Sequence, residues 1–588
     1  MCSIIGYTGK SSAASVLVDS LKRMEYRGYD SVGIATLESS KIFVRKDVGK
    51  VIEVEKSLRL GSMPGQVGVG HTRWATHGGI SQINAHPHTD CENQIVVVHN
   101  GIIENYKQIK EELLANGHIF QSQTDSEVIA HLIELHYKKE HDVKQAIIET
   151  CKILKGSYAF VAIFRSGVVA GTRLDEPLIV GLGKDGNFIS SDVLGFLEYT
   201  DKSIFLDNQD IVILDGQNVN FFDFNGNAVS RPVTQVAWEL GDLDKGKYAH
   251  YTIKEIHEQQ NSIPKAFGTK KEIITKFVDI MSESKNVFIT GSGTSFHSAL
   301  LAKYLLNKFS NLRTEIVMSS EFEYMLGPLD ENSVLIAISQ SGETADVLHS
   351  VKMARQKNAK ILSIVNISTS SLARLSDHFI AINCGPEIGV AATKSFTGQL
   401  AILYSIVEKL CPDKIDINEF MNTFNDSMQK IMSLESHIET IAEKIKSSQD
   451  IYILGKSLHY PIALEGSLKI KELAYIHAEG IAAGEIKHGP LALVETNTIV
   501  IVINPCDDTF TDTLNSVYEM KSRGAKIIGI SNQNNDNYDY FIRLPTIDEL
   551  MYPILEIVPL QILSYYLALK KDANPDYPRN LAKSVTVR

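Results

Sequence analysis

Val287-Phe288-Ile289-Thr290-Gly291 returns later in the chain as Ile451-Tyr452-Ile453-Leu454-Gly455. Residues 334–339 return as 499–504, and 359–366 as 525–532, in the same order and at nearly constant separation. Each run is short, apolar and rich in β-branched residues, the pattern of a strand buried on both faces. One such match arises by chance among β-rich strings, whereas three in order indicate a duplicated unit. Helical patterns separate the runs, so the expected fold is α/β with parallel sheets. Two tandem doubly wound α/β subdomains are expected over 248–420 and 421–570, followed by a tail over 571–588.

Toward the N-terminus the texture changes. Up to about Pro232 the chain carries short β-like runs, such as 95–98, 158–164 and 211–214, with Gly-rich turns and few long helices. That suits packed sheets and a separate domain over 2–235. The polar, Gly-containing stretch 242–247 lies in an expected linker over 236–247.

The whole chain has 588 residues, too many for one core. Hydrophobic residues make up 44% and charged residues 22%, as in an ordinary globular enzyme. A net charge of −12 argues against nucleic acid and anionic membrane surfaces as partners. Cys2, Cys91, Cys151, Cys384, Cys411 and Cys506 form no CxxC pair, which speaks against a zinc ribbon or disulfide framework and fits a reducing compartment. There is no basic-then-apolar leader, and no apolar run is expected to span a membrane. The apolar stretch 557–569, interrupted by Gln561 and Ser564, reads as a buried helix. The expected location is cytoplasmic.

Cys2 follows the initiator Met1. Removal of the methionine leaves a residue carrying both a thiol and a free α-amine. That amine has an ordinary pKa of about 7.7–8, suited to a general base near neutrality. One residue can thus supply nucleophile and base. The plain alternative is a buried N-terminal cysteine. Further residues favour catalysis. Arg73, within His71-Thr72-Arg73-Trp74-Ala75-Thr76-His77-Gly78, offers a fork for an α-carboxylate. Asp125 offers a carboxylate for an α-ammonium. The Asn100 side chain and the Gly101 N–H, at the end of a strand, can hold a developing oxyanion. Taken singly, these residues also fit an ion pair, a helix N-cap and an Asn-Gly turn. As a set they match glutamine. His86, His88 and Cys91 fit no standard zinc spacing, and no metal site is expected.

These strings carry a resemblance. Residues 25–31, 71–79, 84–88, 99–101 and 124–127 resemble the glutaminase domain of N-terminal-nucleophile amidotransferases, whose fold is αββα. Tyr26-Arg27-Gly28-Tyr29-Asp30 is similar, within that group, to the glutamine–fructose-6-phosphate aminotransferase family. The resemblance implies that Trp74, Thr76, His77 and His86 join Arg73 and Asp125 in binding glutamine. Ser3 stands where the family usually has Gly.

In the first α/β copy, Gly291-Ser292-Gly293-Thr294-Ser295 and Ser339-Gln340-Ser341-Gly342-Glu343-Thr344 each follow a strand and open a helix. Such loops present N–H groups and hydroxyls to an anion. Neither has the Lys-Ser/Thr pair of a nucleotide-binding P-loop. Plain N-capping is the alternative for each alone. Together at strand ends of one sheet they favour phosphate. The second copy has Asp507 and Asp508 at the matching place, which would repel phosphate. Glu465, Lys469 and Glu472 share one helix face at i, i+4 and i+7. That pattern fits a solvated ion-pair ladder or part of a site.

This half resembles the tandem sugar-isomerase (SIS) domain of the same family, through the loops above and through Glu387-Ile388-Gly389-Val390-Ala391, Glu465-Gly466, His488-Gly489-Pro490 and the tail 578–587. The resemblance implies a sugar-phosphate site made by Thr294, Ser295, Ser339, Gln340, Ser341, Thr344, Val390 and Ala582. It implies ring opening by His488 from a neighbouring subunit, hence at least a homodimer. Lys583 would hold the open ketose as a Schiff base, and Glu472, assisted by Lys469, would move a proton between C1 and C2. Trp74 and the tail near Ala582 would close an ammonia channel. L-Glutamine and D-fructose 6-phosphate are the implied substrates, with no cofactor. Ser292, Ala392 and Arg588 depart from the usual Cys, Ser and Glu.

Three alternatives remain at this point. One is an amidotransferase making phosphoribosylamine or asparagine, although no pyrophosphate or ATP loop is apparent. Another is a sugar-phosphate-sensing regulator, and the third is a different keto-sugar acceptor. The linker lacks an obvious long insertion, which favours a compact unregulated form.

Overall fold

The computed structural model describes residues 2–236 and 244–586. Much of the expected linker lies outside those residues, as do Val587 and Arg588 of the tail. By internal contacts the chain divides into Met1–Asp242 with Ser584–Arg588, and Leu243–Lys583.

The first unit is built on two antiparallel sheets. Among the described residues one has eight strands, in the order Thr234–Gln235, Lys202–Phe205, Ile179–Leu182, Gly186–Ser190, Ser3–Gly9, Val67–Arg73, Ser31–Glu38 and Lys41–Val48. The other has six: Asn218–Asp223, Asp210–Asp215, Val169–Leu174, Gly156–Phe164, Ile95–Ile103 and His88–Thr89. Strand alternation explains their stacking. Val96 and Val98 join Ala159, Val161, Ile4 and Val69 in the core between the sheets. Ile95, Val97, Phe160 and Ala162 face the opposite way, onto the helices Tyr106–Ala115, Glu127–Glu140 and Val143–Ile153. The helix Ala13–Met24 covers the outer face of the larger sheet with Val16, Leu17 and Leu21 buried. The layers are therefore αββα, as the resemblance implied. The register Ser3↔Thr72 sets Cys2 beside Arg73 and Trp74.

The second unit contains two five-stranded parallel sheets. The first runs Arg313–Met318, Asn286–Gly291, Ser333–Ser339, Lys360–Val365, His378–Ala381. The second runs His477–Ala482, Asp450–Gly455, Ile499–Ile503, Lys526–Ser531, Tyr540–Arg543. Each follows the order 2-1-3-4-5, in which ligands bind beyond the carboxyl ends of the strands. The three repeated strings occupy equivalent strands of the two sheets, so the internal repeat is structural. The sheets are buried on both sides: Val334, Ile336 and Ile338 face one core, Leu335 and Ala337 the other.

The stretch 557–569 lies in the helix Tyr552–Lys570. The segment Glu549–Lys570 is long and apolar enough to cross a membrane, contrary to the expectation that no run would be, but its apolar window is 89% buried within the protein. It packs against the helix His459–Ala474 at Gly466, where an added Cβ would lie 2.7 Å from Leu560 Cδ1.

Candidate active site

In the first unit a narrow cleft is lined by Cys2, Arg73, Trp74, His77, Gly101 and Asp125 among others, including Thr76 and His86. The Cys2 thiol accepts from Trp74 N at 3.2 Å and lies 3.5 Å from Trp74 O. Burial pushes its pKa up, and the Trp74 N–H and Arg73 offset this only in part. The thiol therefore needs a base. His71, His86, His88 and His99 are buried close by. Burial pushes His71 down to about 3 and His99 to about 4, and lowers His86 and His88 as well. Such imidazoles are weak bases at neutral pH. An N-terminal α-amine, with an ordinary pKa of about 7.7–8, is better matched.

Asn100 Nδ2 donates to the Cys2 carbonyl at 3.1 Å, so an amide donor stands at the nucleophile. His71 Nε2 lies 3.2 Å from Asn100 Oδ1 and 2.9 Å from the His99 carbonyl, fixing that amide. Gly101 next to it has φ of +109°, and a Cβ there would meet Ser157 O at 2.0 Å; glycine is required where the strand bends into the cleft. Arg73 donates to the carbonyls of His77, Gly78 and Gly79 at 2.5 to 3.2 Å, closing the loop that carries Thr76 and His77. Asp125 Oδ2 accepts from Ile103 N at 2.8 Å. Ser3 is fully buried and donates to Met24 O at 2.8 Å, so the larger side chain is housed with its hydroxyl satisfied.

In the second unit the two hydroxyl-rich loops follow the adjacent parallel strands Asn286–Gly291 and Ser333–Ser339. Ser339 Oγ accepts from Gly342 N at 3.0 Å and meets Thr344 Oγ1 at 3.2 Å, curling the second loop. Gln340 O accepts from Asn366 N at 3.2 Å, and Ser341 Oγ from Glu343 N at 3.2 Å. Ser295 Oγ accepts from Gln399 at 3.1 Å. In the second copy Asp507 Oδ1 instead accepts from Thr509 N at 2.8 Å, so a carboxylate of the chain takes the loop donors.

Glu465, Lys469 and Glu472 are not a solvated ladder. Glu465 and Lys469 are fully buried, and Lys469 Nζ lies 3.3 Å from Glu465 and 2.5 Å from Glu472. Burial alone would lower the Lys469 pKa, but the two carboxylates outweigh it and raise it. Thr294 Oγ1 donates to Glu465 Oε1 at 2.9 Å, tying the first hydroxyl-rich loop to this helix. Glu472 opens on a cleft of about 360 Å³ lined also by Tyr475, His477, Arg579 and Asn580. His488 is exposed at the end of the 3₁₀ turn Ala483–His488 and, among the described residues, joins none of these contacts.

Lys583 Nζ lies 2.5 Å from Glu387 Oε2 and donates to Gly389 O at 2.8 Å. Val390 N donates to Asp576 O at 3.1 Å, so the tail grips the loop 387–391 at two points. Burial would raise the Glu387 carboxyl, but Lys583 and the Ser395 and Thr393 N–H groups hold it down to about 2. Burial and the Glu387 charge push the neighbouring Glu255 up to about 8. Ala582 precedes Lys583 half-buried. Glu387, Glu255 and His297, whose Nδ1 lies 2.7 Å from Glu465 Oε2, had no assigned part in the sequence reading. Glu387 was visible there as part of a matching string; His297 and Glu255 lie on helices without any local mark.

A thiol in one cleft with a guanidinium and a carboxylate on an αββα frame, followed by duplicated 2-1-3-4-5 sheets with hydroxyl-rich loops, defines a glutamine amidotransferase joined to a tandem sugar-isomerase-type unit. Residues 71–191 match the glutamine amidotransferase domain family, and 280–409 and 444–571 match the SIS domain family. Proteins named glutamine–fructose-6-phosphate aminotransferase (isomerizing) from Pyrococcus horikoshii and Methanothermobacter thermautotrophicus are 44% and 42% identical, each alignment covering 100% of both chains. The chain belongs to that aminotransferase family. The solved C-terminal domain of glucosamine-fructose-6-phosphate aminotransferase from Francisella tularensis is 32% identical, with a TM-score of 0.52, over 57% of this chain and 99% of that one.

Proposed function

We infer that the protein transfers the amide nitrogen of L-glutamine to D-fructose 6-phosphate with isomerisation, giving D-glucosamine 6-phosphate and L-glutamate. The observation that carries this is the placement of Cys2 in one cleft with Arg73, Gly101 and Asp125, in a chain whose C-terminal tail pairs Lys583 with Glu387.

For the first half-reaction, the α-amine of Cys2 takes the thiol proton and the thiolate attacks the glutamine amide carbon. Asn100 Nδ2 and Gly101 N–H stabilise the oxyanion. Collapse expels ammonia and leaves a thioester, which water hydrolyses to glutamate. Arg73 takes the α-carboxylate and Asp125 the α-ammonium, with Trp74, Thr76, His77 and His86 shaping the pocket.

For the second, Thr294, Ser295, Ser339, Gln340, Ser341 and Thr344 hold the sugar phosphate, with Val390 and Ala582 against the sugar. His488 of a second copy opens the ring. The Lys583 amine condenses with the C2 ketone, releasing water. Ammonia then displaces the lysine, leaving a C2 imine. Glu472 moves a proton from C1 to C2, with Lys469 beside it, which yields the amino aldose. Ammonia passes between the sites by a channel closed by Trp74 and the tail. The working unit is a homodimer or larger, in the cytoplasm. The proposed domain limits are 2–235, 248–420 and 421–570, with a linker over 236–247 and a tail over 571–588.

Incubation with glutamine and fructose 6-phosphate, assayed for glucosamine 6-phosphate, tests the reading. Product is expected, and its absence overturns the assignment. Cys2→Ala is expected to abolish glutamine-dependent product while leaving sugar binding intact.

A further inference from the structure

Away from the Cys2 cleft, the first unit gathers four metal-ligating side chains from three separate segments. Cys91 lies in the turn between the strands His88–Thr89 and Ile95–Ile103, His118 follows the helix Tyr106–Ala115, and His131 and Glu134 sit on the helix Glu127–Glu140. His131 and Glu134 are i and i+3, so they share a helix face. One ligand atom from each lies within 4.8 Å of all the others.

Five of the six separations are close to the edges of a tetrahedron around one ion, and the sixth, between Cys91 and Glu134, is within 4.8 Å. His118 Nδ1 and His131 Nδ1 are 3.4 Å apart. Cys91 Sγ is 3.6 Å from His131 Nδ1 and 3.8 Å from His118 Nδ1. Glu134 Oε2 is 3.0 Å from His118 Nδ1 and 3.2 Å from His131 Nδ1. Bond lengths of about 2.0–2.1 Å to nitrogen or oxygen and about 2.3 Å to sulfur give tetrahedral edges of about 3.3 Å between nitrogens and about 3.6 Å from nitrogen to sulfur.

The surroundings also suit an ion. Ile119 N donates to Cys91 Sγ at 3.4 Å, and Lys138 Nζ lies 2.7 Å from Glu134 Oε1, the oxygen turned away from the cluster. His131 Nε2, the ring nitrogen pointing away, is buried 3.8 Å from Glu127 Oε1, the place of a carboxylate that orients a ligating imidazole. His131 and Glu134 are buried, whereas Cys91 is exposed, which leaves an entry path.

We propose that Cys91, His118, His131 and Glu134 form a four-ligand site for a zinc-like divalent transition metal in the glutaminase unit. A thiolate and a carboxylate balance the dication, and binding releases the Cys91 proton to solvent. With four protein ligands and no open position, the site is structural. It cross-links the turn at Cys91, the segment at His118 and the helix that begins just after Thr124 and Asp125 of the glutamine cleft. Of the two histidines near Cys91 in the sequence, His86 lines the Cys2 cleft and His88 Nε2 lies 3.1 Å from Thr124 Oγ1, so Cys91 has other partners.

The test uses the full-length chain without an affinity tag, loaded with zinc and dialysed against metal-free buffer, with metal content measured by mass spectrometry. Stoichiometric zinc per chain is expected. Cys91→Ser and His118→Asn, at the two more accessible ligands, are each expected to lose it while keeping a native circular dichroism spectrum. Cobalt loaded in place of zinc is expected to give tetrahedral d–d bands and a thiolate-to-cobalt charge-transfer band, the latter missing from Cys91→Ser. Failure of wild type to retain zinc or cobalt overturns the proposal, as does equal retention by both variants.

Discussion

Glu387 Oε2 and Lys583 Nζ lie 2.5 Å apart although 196 residues separate them. The contact fixes the proposed Schiff-base lysine on a loop of the first sugar-isomerase copy. Borohydride reduction in the presence of fructose 6-phosphate is expected to add the sugar's mass to the peptide carrying Lys583, and Lys583→Arg is expected to abolish the adduct. Glu387→Gln leaves a buried ammonium without its carboxylate, a change that costs about 3–5 kcal/mol when a buried pair is broken. Lower thermal stability and lost amination are expected, with glutamine hydrolysis retained. Glu387 is held at about 2, below its ordinary value, so the stability it contributes is present above pH 4.5 and is lost as pH falls toward 2.

Glutamine hydrolysis is expected to follow the α-amine of Cys2. The buried thiol is pushed up and the nearby imidazoles are too weak as bases. The rate at saturating glutamine should rise with pH through about 7.7–8, the ordinary range of an α-amine. A chain that retains Met1 should be inactive toward glutamine, as peptide mapping and a glutamate assay would establish. Unchanged hydrolysis with Met1 retained would remove the amine from the mechanism.

His459 bridges two carboxylates, with Nδ1 2.9 Å from Glu556 and Nε2 2.8 Å from Asp507. Burial would lower its pKa, but both acids outweigh this and raise it to about 10. A raised pKa gives stability that is complete below the ordinary value of 6.5 and is lost as pH rises through 10. The melting temperature is expected to fall between pH 8 and pH 10.5, and His459→Gln should remove most of that dependence. The variant is also expected to be less stable at pH 7 by about 3–5 kcal/mol, read by denaturant unfolding.

Gly342 has φ of +66°, and an added Cβ would lie 2.1 Å from Ser370 Oγ. Its N–H donates to Ser339 Oγ in the proposed phosphate loop. Gly342→Val is expected to raise the KM for fructose 6-phosphate by about tenfold or more, equal to about 1.4 kcal/mol of binding. Glutamine hydrolysis measured without the sugar should be unchanged.

Local pattern made much of the architecture legible. The short β-like runs at 95–98 and 158–164 marked strands of packed sheets, and alternate residues along them meet different cores. The repeated strings marked the duplicated sheets because parallel strands buried on both sides must be apolar throughout. The Asp507 and Asp508 pair set the second loop apart from the first, and Asp507 there accepts from Thr509 N within its own loop. Other features left no local trace. Glu465, Lys469 and Glu472 fit a solvated ladder or part of a site in the sequence, and the fold buries Glu465 against Thr294 and His297. Cys91, His118, His131 and Glu134 are joined by irregular spacings, so their convergence could not be read from the chain.

The sequence by itself determined the element types, the repeat, the hydroxyl-rich loops after two strands and the cysteine at position 2, because these follow from periodicity, residue type and short-range spacing. The tertiary structure alone decided which charges are buried, that Glu387 receives Lys583, that the histidines behind Cys2 are neutral, and that Cys91 has ligand-forming neighbours. Those outcomes depend on desolvation and on contacts between residues remote in the chain. Both arise from packing, which the order of residues encodes without displaying.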